Sequence, residues 1–110
     1  VKITYKNKKL EKSLTDDKEL IKTYGELAKK IKQRVKELTE ADSLLVISQL
    51  PALRLHPYKG NRIGEWSIDI KENWRIIFEI AQDPIPKQDG GGVNLLLITA
   101  IEVVSVEDPH

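Results

Sequence analysis

The sequence predicts an α+β domain, with an N-terminal strand and helices packed on one face of a mainly antiparallel sheet. Apolar residues recur at helical spacing through residues 17–40, the period then drops to two from Trp66 onward, and no helical pattern returns afterwards. At 110 residues and 40% hydrophobic content, the chain suits one domain over residues 1–110 whose core needs neither metal nor disulfide.

Each element follows from its local pattern. Val1, Ile3 and Tyr5 alternate with Lys2 and Thr4, as in a half-buried first strand. Leu10 and Leu14 lie one turn apart, which predicts a short helix over residues 8–14. Asp16 followed by Glu19 reads as a capping box. Leu20, Tyr24, Leu27, Ile31, Val35 and Leu38 then form one apolar stripe, which predicts a single helix over residues 17–40. Ser43 can cap a further helix to about Gln49, which Pro51 should end.

Beyond that point strands take over. Trp66, Ile68 and Ile70 alternate with Ser67, Asp69 and Lys71, and Trp74, Ile76 and Phe78 alternate with Arg75 and Ile77; residues 71–73 make the turn. Two prolines and three consecutive glycines predict a long irregular connection over residues 82–92. The β-branched run over residues 93–106 reads as a central strand buried on both faces, bent or divided near Thr99. The sheet face away from the helices would carry Ser67, Asp69, Lys71 and Arg75, and is where a ligand groove is expected.

Composition narrows the chemistry. No cysteine is present, which removes disulfides, thiolate metal sites and thiol nucleophiles and fits a reducing cytoplasm. The N-terminus lacks a signal pattern and the longest apolar stretch is too short for a membrane span, so a soluble cytoplasmic protein is expected. Formal net charge is only +1, but residues 1–36 hold twelve Lys or Arg against five Asp or Glu. Such a segment is either a solvated lysine-rich face or a footprint for RNA or another anion.

Candidate site residues cluster in Leu55-His56-Pro57-Tyr58-Lys59-Gly60 and in the hairpin that follows. Lys59 sits in a tight-turn sequence that would present its ammonium outward. Arg75 lies within a strand, where a guanidinium needs either a ligand anion or a partner such as Asp69 or Glu79. Only His56 and His110 could serve imidazole-based proton transfer, and neither has a metal-site partner at helical or turn spacing. Gly90-Gly91-Gly92 lacks the lysine and helix of a phosphate-binding loop.

The segments Leu55-His56-Pro57-x-Lys59-Gly60, Gly64-x-Trp66-Ser67-Ile68 and Asn73-Trp74-Arg75-Ile76, with the Glu107-Asp108-x-His110 ending, resemble the HigB branch of RelE/ParE-superfamily toxins. That resemblance implies a RelE/ParE-like fold and the toxin component of a type II toxin-antitoxin system: a ribosome-dependent mRNA endonuclease needing no cofactor. The implied partners are the ribosome, its mRNA and a cognate antitoxin, usually a helix-turn-helix repressor. Lys59, Arg75, Asp108 and His110 would be catalytic. His56, Arg62 and Lys71 would contact substrate, and Lys29, Lys30 and Lys32 would dock ribosomal RNA.

The chain departs from the family pattern where Pro109 replaces a common tyrosine and Lys71 a usual arginine, which keeps the charge but loses the guanidinium's fork. Two other outcomes share the fold: a ParE-like toxin that inhibits a protein such as gyrase, and a degenerate member that only binds its antitoxin as co-repressor.

Overall fold

A computed structural model describes residues 1–108. Its elements run β1 (Lys2–Tyr5), α1 (Lys8–Thr15), α2 (Asp17–Tyr24), α3 (Ala28–Glu40), α4 (Leu44–Ser48), β2 (His56–Pro57), β3 (Glu65–Lys71), β4 (Trp74–Ile80) and β5 (Ala100–Glu107). The five strands form one sheet in the order β1-β5-β4-β3-β2. Only the β1–β5 pair is parallel.

Helix starts follow the side chains available to cap them. The Asn7 side chain accepts from Leu10 N–H at 2.8 Å, Asp16 accepts from the N–H groups of Lys18 and Glu19, and Ser43 accepts from Leu45 N–H. Each cap satisfies a donor that the first helical turn leaves without an intrahelical acceptor.

The expected single helix over residues 17–40 is two helices. Gly25 sits at φ +54° and ψ −120° at the end of α2, and a 3-10 turn over Gly25–Leu27 redirects the chain into α3. Only glycine takes that backbone angle without strain, so the apolar stripe continues while the axis changes.

All helices pack on one sheet face. Ile31 and Leu38 from α3, Leu44 and Ile47 from α4, and Ile68, Ile76, Phe78 and Ile101 from the sheet are all completely buried in a single cluster. Burying each such side chain contributes about 1.5–3 kcal/mol, which makes this layer the main stabilising feature of the fold.

Two further expectations change in the C-terminal third. The run over residues 93–106 is a strand only from Ala100; Leu95–Leu97 form a 3-10 turn that exposes Leu96 and Leu97. Although β5 lies inside the sheet, only Ile101 and Val103, on the helix side, are buried, and its other residues are partly exposed. The connection over residues 82–92 is more ordered than its prolines and glycines imply. A bridge pairs Lys87 with Val93, and the Gln82 side chain accepts from Thr99 and Ala100 N–H and donates to the Leu97 carbonyl.

No helix of the described residues is long and apolar enough to cross a membrane.

Candidate active site

Strand register lays out the uncovered sheet face in rows. His56, Ser67, Ile77 and Ser105 are successive cross-strand partners; Asp69, Arg75 and Glu107 form the next row, and Glu65, Glu79 and Glu102 flank on the other side. The period of two puts these side chains opposite the core, as the hairpin sequence predicts.

His56 is held on three sides. Its Nδ1 lies 2.8 Å from the Arg54 carbonyl, and since a carbonyl cannot donate, Nδ1 carries the proton. Nε2 is then free to accept from the Ser67 hydroxyl at 3.2 Å, and the Tyr58 ring stands edge-on with centroids 5.5 Å apart. Ser67 is fully buried, so this hydroxyl needs the imidazole as its partner.

Arg75 is the cation set deepest among the candidates, with a side chain 17% exposed. Its Nε lies 3.7 Å from Asp69 Oδ1, and both atoms are buried without a hydrogen bond among the described residues. The other Asp69 oxygen accepts from Arg54 Nε at 2.9 Å. Arg54, which sequence reasoning passed over, adopts a left-handed backbone at φ +44° and ψ +51°. One residue thereby places its carbonyl on His56 and its guanidinium on Asp69. Nothing local in the sequence marks it, because an arginine rarely takes that conformation.

Arg34 was also unforeseen. Counted among the N-terminal cations, it is instead buried, its Nε donating to the Asp69 carbonyl at 2.8 Å and its Nη1 to Glu37 at 2.8 Å. It serves the scaffold from the helix side.

Arg62 is engaged rather than open. Its Nε donates to Glu65 at 2.6 Å, its two terminal nitrogens donate to Glu107 at 3.1 and 2.8 Å, and its guanidinium lies 4.9 Å from the Tyr58 ring centroid. These bonds, with a further one from Ser105, hold the Glu107 carboxyl below the usual carboxylate range and push the guanidinium still higher. Glu107 is legible in the sequence as part of the terminal motif, but its partner is not.

The remaining candidates divide between places. Lys59 is exposed at the entrance to the 3-10 turn Gly60–Arg62, beside His56 and Tyr58 in the chain. Asp108 is exposed immediately beyond β5, next to the residue paired with Arg75; Pro109 and His110 lie outside the described residues. Lys71 does not join this row. It lines a groove of about 520 Å³ with Lys29, Lys30, Glu26 and Gln33, at the turn end of the hairpin. Lys32, one turn along α3 from Lys29, is in an exposed 3.0 Å pair with Asp17. Among the described residues no group of three or more His, Asp or Glu could hold a metal ion.

Arg54, Arg75, His56 and Lys59 can thus offer cations and one imidazole to an anion. Glu65, Glu79 and Glu102 bound that region with negative charge.

Comparison with known proteins gives this geometry a context. A family model described as HigB-like toxin, the RelE-like toxin of the type II toxin-antitoxin system HigB, matches residues 3–88. A 26-residue stretch is 58% identical to Endoribonuclease HigB of Proteus vulgaris, covering 24% of this chain and 28% of that protein. Over whole chains the fold is similar to a YoeB/ParE toxin from Agrobacterium tumefaciens, with TM-score 0.53 and 15% identity over 100% of both chains. It is also similar to YafQ from E. coli strain BL21(DE3), with TM-score 0.52 and 14% identity over 97% of this chain and 91% of the other.

Proposed function

The chain belongs to the HigB-like family of RelE-like toxins of type II toxin-antitoxin systems, and from that premise we propose that it is an endoribonuclease cutting mRNA on the ribosome. The supporting observation is the register Asp69–Arg75–Glu107. It sets a deep, incompletely hydrogen-bonded guanidinium beside the strand end that leads into Asp108 and His110.

In this reading the substrate supplies its own nucleophile. The 2′-hydroxyl attacks the adjacent phosphorus as its proton passes to a base; the P–O5′ bond breaks, and an acid protonates the departing 5′-oxygen. A 2′,3′-cyclic phosphate and a 5′-hydroxyl result. Arg75 and Lys59 neutralise the charge that builds on the phosphoryl oxygens, where a positioned cation acts most strongly. Asp108 and His110 provide the proton transfers, and His56 orients the substrate from the neighbouring row. Arg62 acts on the protein, by holding Glu107, rather than on the RNA.

Lys29, Lys30 and Lys71 form the docking surface for ribosomal RNA, with Lys32 at its margin. These residues form one toxin domain, which works in the cytoplasm. Its other partner is an antitoxin of the helix-turn-helix repressor kind, which restrains the toxin until it is released.

The test is translation with purified ribosomes, mapping mRNA ends after adding wild type, Arg75→Ala and a chain lacking His110. Codon-positioned cuts by wild type alone support the reading; no cuts by wild type end it. The flanking acids Glu65, Glu79 and Glu102 favour a second reading, a toxin that binds a protein target such as gyrase. Growth arrest without mRNA cuts would select it.

A further inference from the structure

Two buried, oppositely charged atoms that face each other without bonding need an explanation. Arg75 Nε and Asp69 Oδ1 are 3.7 Å apart, and neither has a hydrogen-bond partner among the described residues. Leaving such groups unbonded is costly, and in native structures the arrangement marks stored strain or a catalytic role often enough to need a reason. The second Asp69 oxygen is firmly bonded to Arg54 at 2.9 Å. One carboxylate is therefore divided between two guanidiniums, tightly on one side and loosely on the other. From beneath, the Asp69 carbonyl accepts from the buried Arg34 at 2.8 Å, which holds this stretch of backbone in place.

We propose that Asp69 is a positioning residue that restrains Arg75, and that Arg54 limits the restraint by occupying the other carboxylate oxygen. The proposal rests on reading Arg75 as the cation that meets the substrate phosphate. With Arg54 in place, Asp69 orients the Arg75 guanidinium from its buried Nε side without capturing the group, and the partly exposed remainder of the guanidinium meets the phosphoryl oxygen. Without Arg54, the carboxylate closes on Arg75 and competes with the phosphate. The left-handed backbone of Arg54 fits this role, since strained residues persist where the surrounding structure requires them. The arrangement weakens the site's attraction for phosphate, so Asp69 sets the strength of the toxin as well as its geometry.

Inorganic phosphate, titrated at low salt into the whole protein, gives a readout independent of RNA cutting: the ¹⁵N NMR signal of the Arg75 Nε–H. Asp69→Asn should move the midpoint to roughly fivefold lower phosphate, the lower bound set by one unit charge about 4 Å away screened as in bulk water. Arg54→Ala should move it higher. The double variant should follow Asp69→Asn, because Arg54 acts on Arg75 through Asp69. A purely structural ion pair would instead lower the melting temperature in all variants and leave the midpoints together, which would overturn the proposal, as would a midpoint raised by Asp69→Asn.

The same proteins assayed on programmed ribosomes separate the two ideas. Wild type that fails to cut overturns the nuclease reading whatever the titration shows. Unshifted midpoints overturn the restraint even if wild type cuts.

Discussion

Arg62 and Glu107, forty-five positions apart, are joined by two parallel hydrogen bonds of 3.1 and 2.8 Å that tie the loop before β3 to the end of β5. The same guanidinium also holds Glu65, so the last residue of β5 is tied to the first residue of β3 through one side chain. Forked pairing of this kind fixes direction as well as distance.

Arg62→Ala should therefore cost about 1 kcal/mol of stability, since both partners are about a third exposed and solvent screens the pair. The larger effect falls on mRNA cutting, because the chain leading to Asp108 loses its anchor. Arg62→Lys should recover part of the stability and little of the cutting, because an ammonium cannot make both bonds. Urea denaturation beside end-mapping on ribosomes checks this, and equal losses in the two assays would contradict it.

The pair also sets an acid limit on stability. Because the bonds from Arg62 and Ser105 lower the Glu107 pKa in the folded protein, their contribution is fully present above the unfolded value near 4.5. It disappears as pH falls through the lower folded value, where both states are protonated. The stability difference between wild type and Glu107→Gln should be constant from pH 7 to about pH 5 and shrink below about 4.5. Urea unfolding at stepped pH measures it.

For Arg75→Ala, mRNA cutting should fall by about a hundredfold or more, the usual effect of removing one group aimed at developing charge. The helix-side core does not include this residue, so far-UV circular dichroism should stay native. A loss of under tenfold would move the phosphate contact to another cation.

Reversing charge at Lys29, Lys30 and Lys71 together should weaken ribosome binding and flatten its dependence on salt, as three fewer phosphate contacts release fewer counterions. Lys32→Glu alone should do less, its charge being already matched by Asp17. Sedimentation with ribosomes across a salt series distinguishes the two.

Gly25→Ala should destabilise the fold by about 1–3 kcal/mol through backbone strain alone. The space around an added Cβ is open, so packing would not suffer. A normal rate of mRNA cutting by the folded variant is expected, because the α2–α3 corner lies on the opposite side of the sheet from Arg75; thermal melting gives the stability change.

Periodicity made the helices, the hairpin and its two faces legible, because whether a side chain points inward depends only on its own chain's repeat. Alternation alone places Ser67, Asp69 and Arg75 on the face away from the helices, and of the two protein partners foreseen for Arg75, Asp69 and Glu79, the structure sets Asp69 against it. The break at Gly25 escaped because the apolar stripe runs through it unchanged. Arg54 escaped because its role depends on a rare backbone angle that no neighbouring residue announces.

The sequence by itself determined the family, the α+β order and which cations the hairpin offers, all of them properties of short contiguous stretches. Tertiary structure alone decided how those cations are used: Arg62 bound to Glu107, Arg75 loosely opposed by Asp69, Lys71 sent to the α3 groove. Charges find partners through space, and the register of strands distant in the chain sets which partners come within reach.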